Sequence, residues 1–221
     1  MFVMATVAYR LAKRVVARPL RAAFDLHIEA ASVIPRTGPC IVVANHRSFM
    51  DSIFLAAIVD RPLTFMAKAE YWDDRRTAWL FQATGQIPVR RGSPAGARQA
   101  MDAGSDVLHR GGVIALYPEG TRSRDGQLHA GNLGAARLAI ATRSPIIPVG
   151  LIGTDTVQAV DQKLPRLGRR VDVRFGAPIV ALPSDNPRAQ AVALTHDVMR
   201  AIGSLCGQEY VRRRDRELVN A

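Results

Sequence analysis

The chain has 221 residues, 48% hydrophobic and 22% charged. That balance excludes a disordered chain and leaves enough length for one domain with a real core. Thirty basic against 19 acidic residues give a net charge of +11, which points to an anionic partner: nucleic acid, an acidic membrane surface or a phosphorylated substrate.

Cys40 and Cys206 are the only cysteines, so no disulfide framework is implied and a reducing compartment fits. The longest run without Asp, Glu, Lys or Arg is 13 residues, Thr77 to Val89. A membrane-spanning helix needs about 18 or more, so none is expected. Nor does the N-terminus read as a signal peptide, because its apolar residues precede its charges.

Residues 1–24 contain Arg10, Lys13, Arg14, Arg18 and Arg21 and no acid. At about 100° per residue, the four arginines share one side of a helix, and Met4, Ala8, Leu11, Ala12, Val15 and Val16 lie on the other. This is the pattern of a basic amphipathic helix at a membrane interface, with Pro19 expected to end or kink it. A solvated helix docked on the core has the same pattern.

From residue 25 onward strands and helices alternate. Phe24–Ala30 has the period of a half-buried strand, and Cys40–Ala44 that of a short, fully apolar one. A helix is expected over Ser48–Val59, a strand over Leu63–Met66, a helix over Tyr71–Gln82 and a strand over Gln86–Val89. Ala95–His109 is a helix closed by Gly111-Gly112, and Val113–Tyr117 a buried strand. Asn132–Thr142 is helical and Ile146–Ile152 extended. A polar loop rich in Lys and Arg covers roughly Asp161 to Arg170. A strand follows over Val171–Val180, and a long helix over Pro187–Cys206. The alternation predicts a layered α/β fold with a mixed, largely parallel sheet flanked by helices, preceded by the N-terminal amphipathic helix. The expected division is residues 1–24 as a membrane-interface helix and 25–221 as a single α/β domain.

In α/β sheets functional groups gather at the carboxyl ends of strands. Four such ends are chemically rich here: Asn45-His46 after Cys40–Ala44, Lys68 after Leu63–Met66, Arg90-Arg91 after Gln86–Val89, and Tyr117-Pro118-Glu119-Gly120-Thr121-Arg122-Ser123. Each has a plain structural reading. Ser48-x-x-Asp51 is a helix-opening box, Pro118-Glu119-Gly120 a turn, and Arg90-Arg91 an exposed pair. Together they offer a histidine, carboxylates and several cations, a set suited to proton abstraction beside an anionic ligand, with arginine favoured for phosphate. The five histidines have no metal-type spacing, and no G-x-S-x-G motif is present.

Asn45-His46-Arg47-Ser48-Phe49-Met50-Asp51 resembles the NHxxxxD block of the glycerolipid acyltransferases of the lysophosphatidate (1-acylglycerol-3-phosphate) type. Gly85 to Arg91 resembles their second block, which ends in arginine, and Tyr117 to Ser123 their FPEGTRS block with Tyr for Phe. Ile146-Ile147-Pro148-Val149 resembles the fourth. The blocks fall in family order across about Ile28 to Val149. Two departures concern the acceptor: Arg90 stands where relatives often have Asp, and Asn132 and Leu133 stand where they often have Lys.

The resemblance implies acyl transfer from acyl-CoA or acyl-ACP to a membrane lipid, 1-acylglycerol-3-phosphate, making phosphatidic acid, with no bound cofactor. His46 would be the general base and Asp51 its orienting partner. Arg91, Glu119, Gly120 and Arg122 would bind the acceptor, Lys68 and Arg90 would add positive charge, and backbone N–H groups near Gly120 are candidates for an oxyanion site. Another lysophospholipid, a glycolipid or an acylated amino acid remains open as acceptor. A location on the cytoplasmic face of the membrane, held peripherally to its anionic surface, follows. Nucleic acid is not expected as a partner, since aromatics are 6% and no nucleic-acid motif appears.

Overall fold

The computed structural model describes residue 13 and residues 15–90 and 92–211. Seven strands form one sheet in the order β1 (Asp25–Glu29), β8 (Arg170–Phe175), β7 (Ile146–Ile152), β2 (Cys40–Ala44), β5 (Val113–Leu116), β3 (Leu63–Lys68) and β4 (Ile87–Val89). Every neighbouring pair is parallel except β7–β8. The largely parallel sheet read from the sequence is therefore present, and its one antiparallel pair makes it mixed.

The all-apolar run Cys40–Ala44 has a direct cause. β2 lies at the centre of the sheet, and all five of its residues are buried. Cys40, Val42 and Ala44 point to one core, and Ile41 and Val43 to the other. A strand covered on both faces has no place for polar alternation. The first core is closed by α1 (residues 15–23) and α2 (Met50–Ile58), where Phe24 meets Phe54 edge to face at 5.3 Å. The second is closed by α5 (Pro94–His109), α6 (Gly134–Thr142) and α8 (Pro187–Cys206).

The strand over Cys40–Ala44 and the helix over Pro187–Cys206 have the bounds expected from the sequence. Other elements differ, each for a local reason. The helix expected over Tyr71–Gln82 is two, α3 (Glu70–Asp73) and α4 (Arg75–Ala83). Between them Asp74 is extended, and its carboxylate accepts the Arg76 N–H at 2.9 Å, an N-cap that starts a new helix. The strand expected to reach Val180 stops at Phe175, where Gly176 turns to donate its N–H to Pro148 O. The helix at 15–23 runs through Pro19, and the Phe24 N–H still reaches Leu20 O at 3.1 Å. Most of the amphipathic pattern, residues 1–12 and 14, lies outside the described residues. α7 (Thr154–Val157) and a two-stranded parallel pair, β6 (Leu128–His129) with β9 (Tyr210–Val211), had no counterpart in the sequence pattern.

Topology places the ends of β2, β5, β3 and β4 at one edge of the sheet. Because β8 runs against β7, pairing Asp172 with Ile152, β8 and its parallel neighbour β1 begin at that same edge. No described helix is long and apolar enough to cross a membrane.

Helix and sheet approach closely at Gly150. A Cβ there would lie 2.7 Å from Leu205 Cβ and 2.8 Å from the Cys206 backbone nitrogen. Gly150→Ala must therefore push α8 off β7. A loss of about 1–3 kcal/mol is expected for such overpacking, read as a lower urea midpoint at unchanged slope.

Candidate active site

The turn between β2 and α2 is built around one carboxylate. Asp51 is fully buried in the first turn of α2, and its Oδ2 lies 2.8 Å from His46 Nδ1. The Arg47 and Ser48 N–H groups donate to the same oxygen, each at 2.8 Å. The Ser48-x-x-Asp51 box thus forms on its carboxylate side, while Ser48 Oγ accepts the Met50 N–H and donates to Gln158 O. Capping the helix and holding the imidazole are one arrangement. With Nδ1 engaged, His46 Nε2 is left for another partner, on a side chain 18% exposed.

Beneath His46 lies Tyr117. The rings stack at 3.8 Å with 10° between planes, and the Tyr117 hydroxyl is 2.9 Å from Ser52 Oγ. Burial first, and the nearby Asp51 charge second, push the phenol well above its ordinary pKa, so the ring under the imidazole is neutral.

Glu119 joins three segments. Its carboxylate accepts the His46 N–H at 3.3 Å and the His129 N–H at 3.1 Å, and the Ser123 N–H returns a bond to His46 O at 2.8 Å. Glu119 is 2% exposed. Its carboxyl therefore faces backbone and braces the loop. Burial raises it from 4.5 to about 7, against the pull of those two backbone donors. Gly120 has φ +73°, and its N–H closes the turn on Tyr117 O at 3.0 Å. That bond occupies the N–H of the residue around which an oxyanion site was expected.

The remaining cations spread along the same edge. Arg122 is half-buried in the loop after β5 and makes no ion pair with a described residue. Lys68 and Arg90 are exposed at the ends of β3 and β4, where Lys68 pairs with Val89. At about 4.8 Å per strand, those ends are roughly 10 and 14 Å from β2, a flanking position and not part of the His46 cluster. Arg91 lies outside the described residues.

The sequence motifs gave no role to several residues that hold this edge. Asn45 Nδ2 donates to Leu151 O and to Gln208 Oε1, and Asn45 Oδ1 accepts the Leu151 N–H. Gln208 Nε2 in turn donates to Gly126 O. Arg47 pairs with Asp155 at 2.8 Å. Asn45 and Arg47 stand inside the NHxxxxD block and Tyr117 directly before Pro-Glu-Gly, whereas Gln208 and Asp155 carried no sequence signal.

Known proteins resemble this chain in sequence, and one in fold. The family model described as Acyltransferase matches residues 25–152. The chloroplastic 1-acyl-sn-glycerol-3-phosphate acyltransferase BAT2 of Brassica napus is 29% identical over 119 residues, 54% of this chain and 34% of that protein. The lyso-ornithine lipid O-acyltransferase of Pseudomonas aeruginosa is 33% identical over 158 residues, 68% of this chain and 60% of that protein. The crystal structure of the 1-acyl-sn-glycerophosphate (LPA) acyltransferase PlsC from Thermotoga maritima shares the fold, with TM-score 0.69 at 22% identity over 89% of this chain and 82% of that one. The chain spans little more than a third of the length of the two chloroplastic enzymes from Brassica napus and Arabidopsis thaliana, 34% and 38%.

The raised Glu119 carboxyl links pH to stability. The folded chain holds that proton more tightly than the unfolded chain, so stability falls as pH rises from about 4.5 to about 7. A shift of this size corresponds to about 3 kcal/mol. Urea titrations of Glu119→Gln and wild type across that range are expected to show the gap moving in favour of the Gln variant by that order. A gap independent of pH would contradict the burial assignment.

Proposed function

The chain belongs to the acyltransferase family, and on that footing we propose that it transfers a fatty acyl group from acyl-CoA or acyl-ACP to the free hydroxyl of 1-acylglycerol-3-phosphate, forming phosphatidic acid. The observation that carries this reading is the His46–Asp51 pair, with Nδ1 held at 2.8 Å and Nε2 unengaged by Asp51. In the proposed reaction the substrate hydroxyl loses its proton to His46 Nε2 while its oxygen attacks the thioester carbonyl. The tetrahedral intermediate then collapses, the C–S bond breaks, and the thiol leaves with the proton from the imidazolium. Asp51 fixes the tautomer and stabilises the imidazolium. The nucleophile belongs to the substrate, so no protein Ser or Cys is acylated.

Arg91 and Arg122 are proposed to meet the acceptor phosphate, with Lys68 and Arg90 extending the positive edge. Glu119 and Gly120 serve the acceptor by shaping the loop that carries Arg122. The enzyme is proposed to sit peripherally on the cytoplasmic leaflet, where a lipid acceptor and a soluble thioester meet, with residues 1–24 contributing basic and apolar contacts.

A second reading is supported by the 33% identity to a lyso-ornithine lipid O-acyltransferase. Its acceptor would be an acylated amino acid lacking phosphate. A mass-spectrometric acceptor screen with purified protein and one acyl-CoA separates the two, and product from the ornithine lipid alone would overturn the first.

His46→Ala is expected to lower kcat about a hundred- to ten-thousandfold in a folded protein, and Asp51→Asn to be comparably severe. Tyr117→Leu, which removes the stack, is expected to cost up to about tenfold, and Tyr117→Phe little, since a ring pair contributes about 0.5–1.5 kcal/mol. Near-normal turnover in His46→Ala would overturn the mechanism.

Arg122→Ala and Arg91→Ala are expected to raise the acceptor KM far more than the donor KM. Lysine should rescue only partly, because it lacks the bidentate fork. Steady-state kinetics with each substrate varied in turn checks this, and equal effects on both KM values would remove the arginines from the acceptor site.

A further inference from the structure

The loop from Asp161 to Arg170 reads as polar in the sequence, yet it holds the two most exposed leucines along this stretch of chain. Leu164 is 80% exposed and Leu167 68%. Around them stand Lys163, Arg166 and Arg169, all exposed and none in an ion pair with a described residue. Single exposed leucines are ordinary on protein surfaces. Two within four residues, alternating with unpaired cations, form a local pattern of a different kind.

The backbone of this loop is pinned at both ends. Gln158 Nε2 donates to Gln162 O and Lys163 O, and the Arg166 N–H reaches Val157 O at 2.8 Å. The Gly168 N–H donates to Ala23 O at 2.8 Å, and the Asp25 N–H to Arg169 O at 3.1 Å. The fold thus holds the chain in place while leaving the leucines in water. Much of the entropy that ordering would otherwise cost on binding is already spent in folding.

Topology decides which way this loop faces. It leads into β8, which begins at the edge where β2 and β5 end. Just before it, Gln158 O accepts the Ser48 hydroxyl of the His46 turn, and its first residue, Asp161, pairs with Arg124 of the loop after β5. Phe49, next to the Asp51 turn, is 47% exposed at this edge as well.

We propose that the Lys163–Arg169 loop is a membrane-insertion element. Leu164 and Leu167 enter the acyl–headgroup boundary, and Lys163, Arg166 and Arg169 contact anionic headgroups, so that the edge carrying His46 faces the bilayer. Charge complementarity and the pairing of apolar with basic side chains identify the occupant as an anionic lipid surface. The proposal rests on the reading that the acceptor is a membrane lipid, and adds a lipid contact to those proposed for residues 1–24.

The test uses the full chain and vesicles of phosphatidylcholine with and without phosphatidylglycerol. Leu164→Ser combined with Leu167→Ser should lower the partition constant for anionic vesicles about tenfold or more, with thermal stability unchanged because both sites are exposed. Leu167→Trp should show a blue-shifted emission on those vesicles, quenched by brominated acyl chains. Turnover of a soluble short-chain lysophosphatidate should be the same in the Ser variant as in wild type. Flotation of the Ser variant equal to wild type, or an unshifted Leu167→Trp emission, would overturn the proposal. So would loss of binding on charge reversal of Lys163 and Arg166 with no effect of the leucines, since that describes a basic patch for any polyanion. Flotation and fluorescence need no turnover, so inactivity toward every lysophosphatidate would refute the proposed reaction and leave the insertion result standing.

Discussion

Asp51 has no solvent contact, and one of its oxygens receives the His46 ring and the Arg47 and Ser48 N–H groups, all at 2.8 Å. Placing a carboxylate in the interior costs several kcal/mol unless donors surround it. Two of the three donors here are backbone, so the carboxylate dictates the path of residues 46–48 and not only the position of a side chain. That path sends Arg47 toward Asp155, Ser48 toward Gln158 and the His46 N–H toward Glu119. The loops after β2, β5 and β7 are therefore organised around one buried charge.

The same constraint explains which parts of the site were legible in the sequence. His46 and Asp51 are five positions apart in a single strand–turn–helix unit, so their relation is local. Within a continuous helix they would diverge by about 140°. The turn before α2 removes that divergence, and a strand followed by a helix-opening box is visible as letters. The Tyr117 stack on His46, the Glu119–His46 bond and the Asn45–Gln208 bridge join segments 71 to 163 positions apart, and only the sheet order brings them together. β5 enters beside β2 because β3 and β4 are placed outside it, an order that periodicity does not specify. Helix boundaries failed for a smaller reason: Asp74 caps a helix in the middle of an otherwise helical pattern, and a cap and a solvated surface aspartate look alike in sequence.

Charge is distributed in depth at this edge. The two carboxylates nearest His46 are hidden, Asp51 at 0% and Glu119 at 2% exposure, while Lys68 and Arg90 stand exposed and Arg122 half-exposed above and beside them. These two acids are occupied by backbone N–H groups and by the imidazole. The net charge of +11 alone fits nucleic acid as well as lipid. The proposed insertion of Leu164 and Leu167 is what would separate the two, since a polyanion in water makes no use of exposed leucines.

Depth also reconciles two demands on one histidine. A base for an alcohol needs a fixed tautomer and a partner for the imidazolium, which favours a buried carboxylate. An anionic acceptor needs a positive rim, and an exposed carboxylate there would repel it. Parallel strand ends meet both needs by setting the functions side by side: Asp51 one turn into a helix, the His46 ring between it and solvent on the face of neutral Tyr117, and the cations on the loop after β5 and on the flanking ends of β3 and β4. Tyr117 belongs to this logic because its phenol, kept neutral by burial, brings an aromatic face to the imidazole without adding a charge. The proposed reaction asks for that separation, since its base must gain a proton within reach of a phosphate that it must not itself bind.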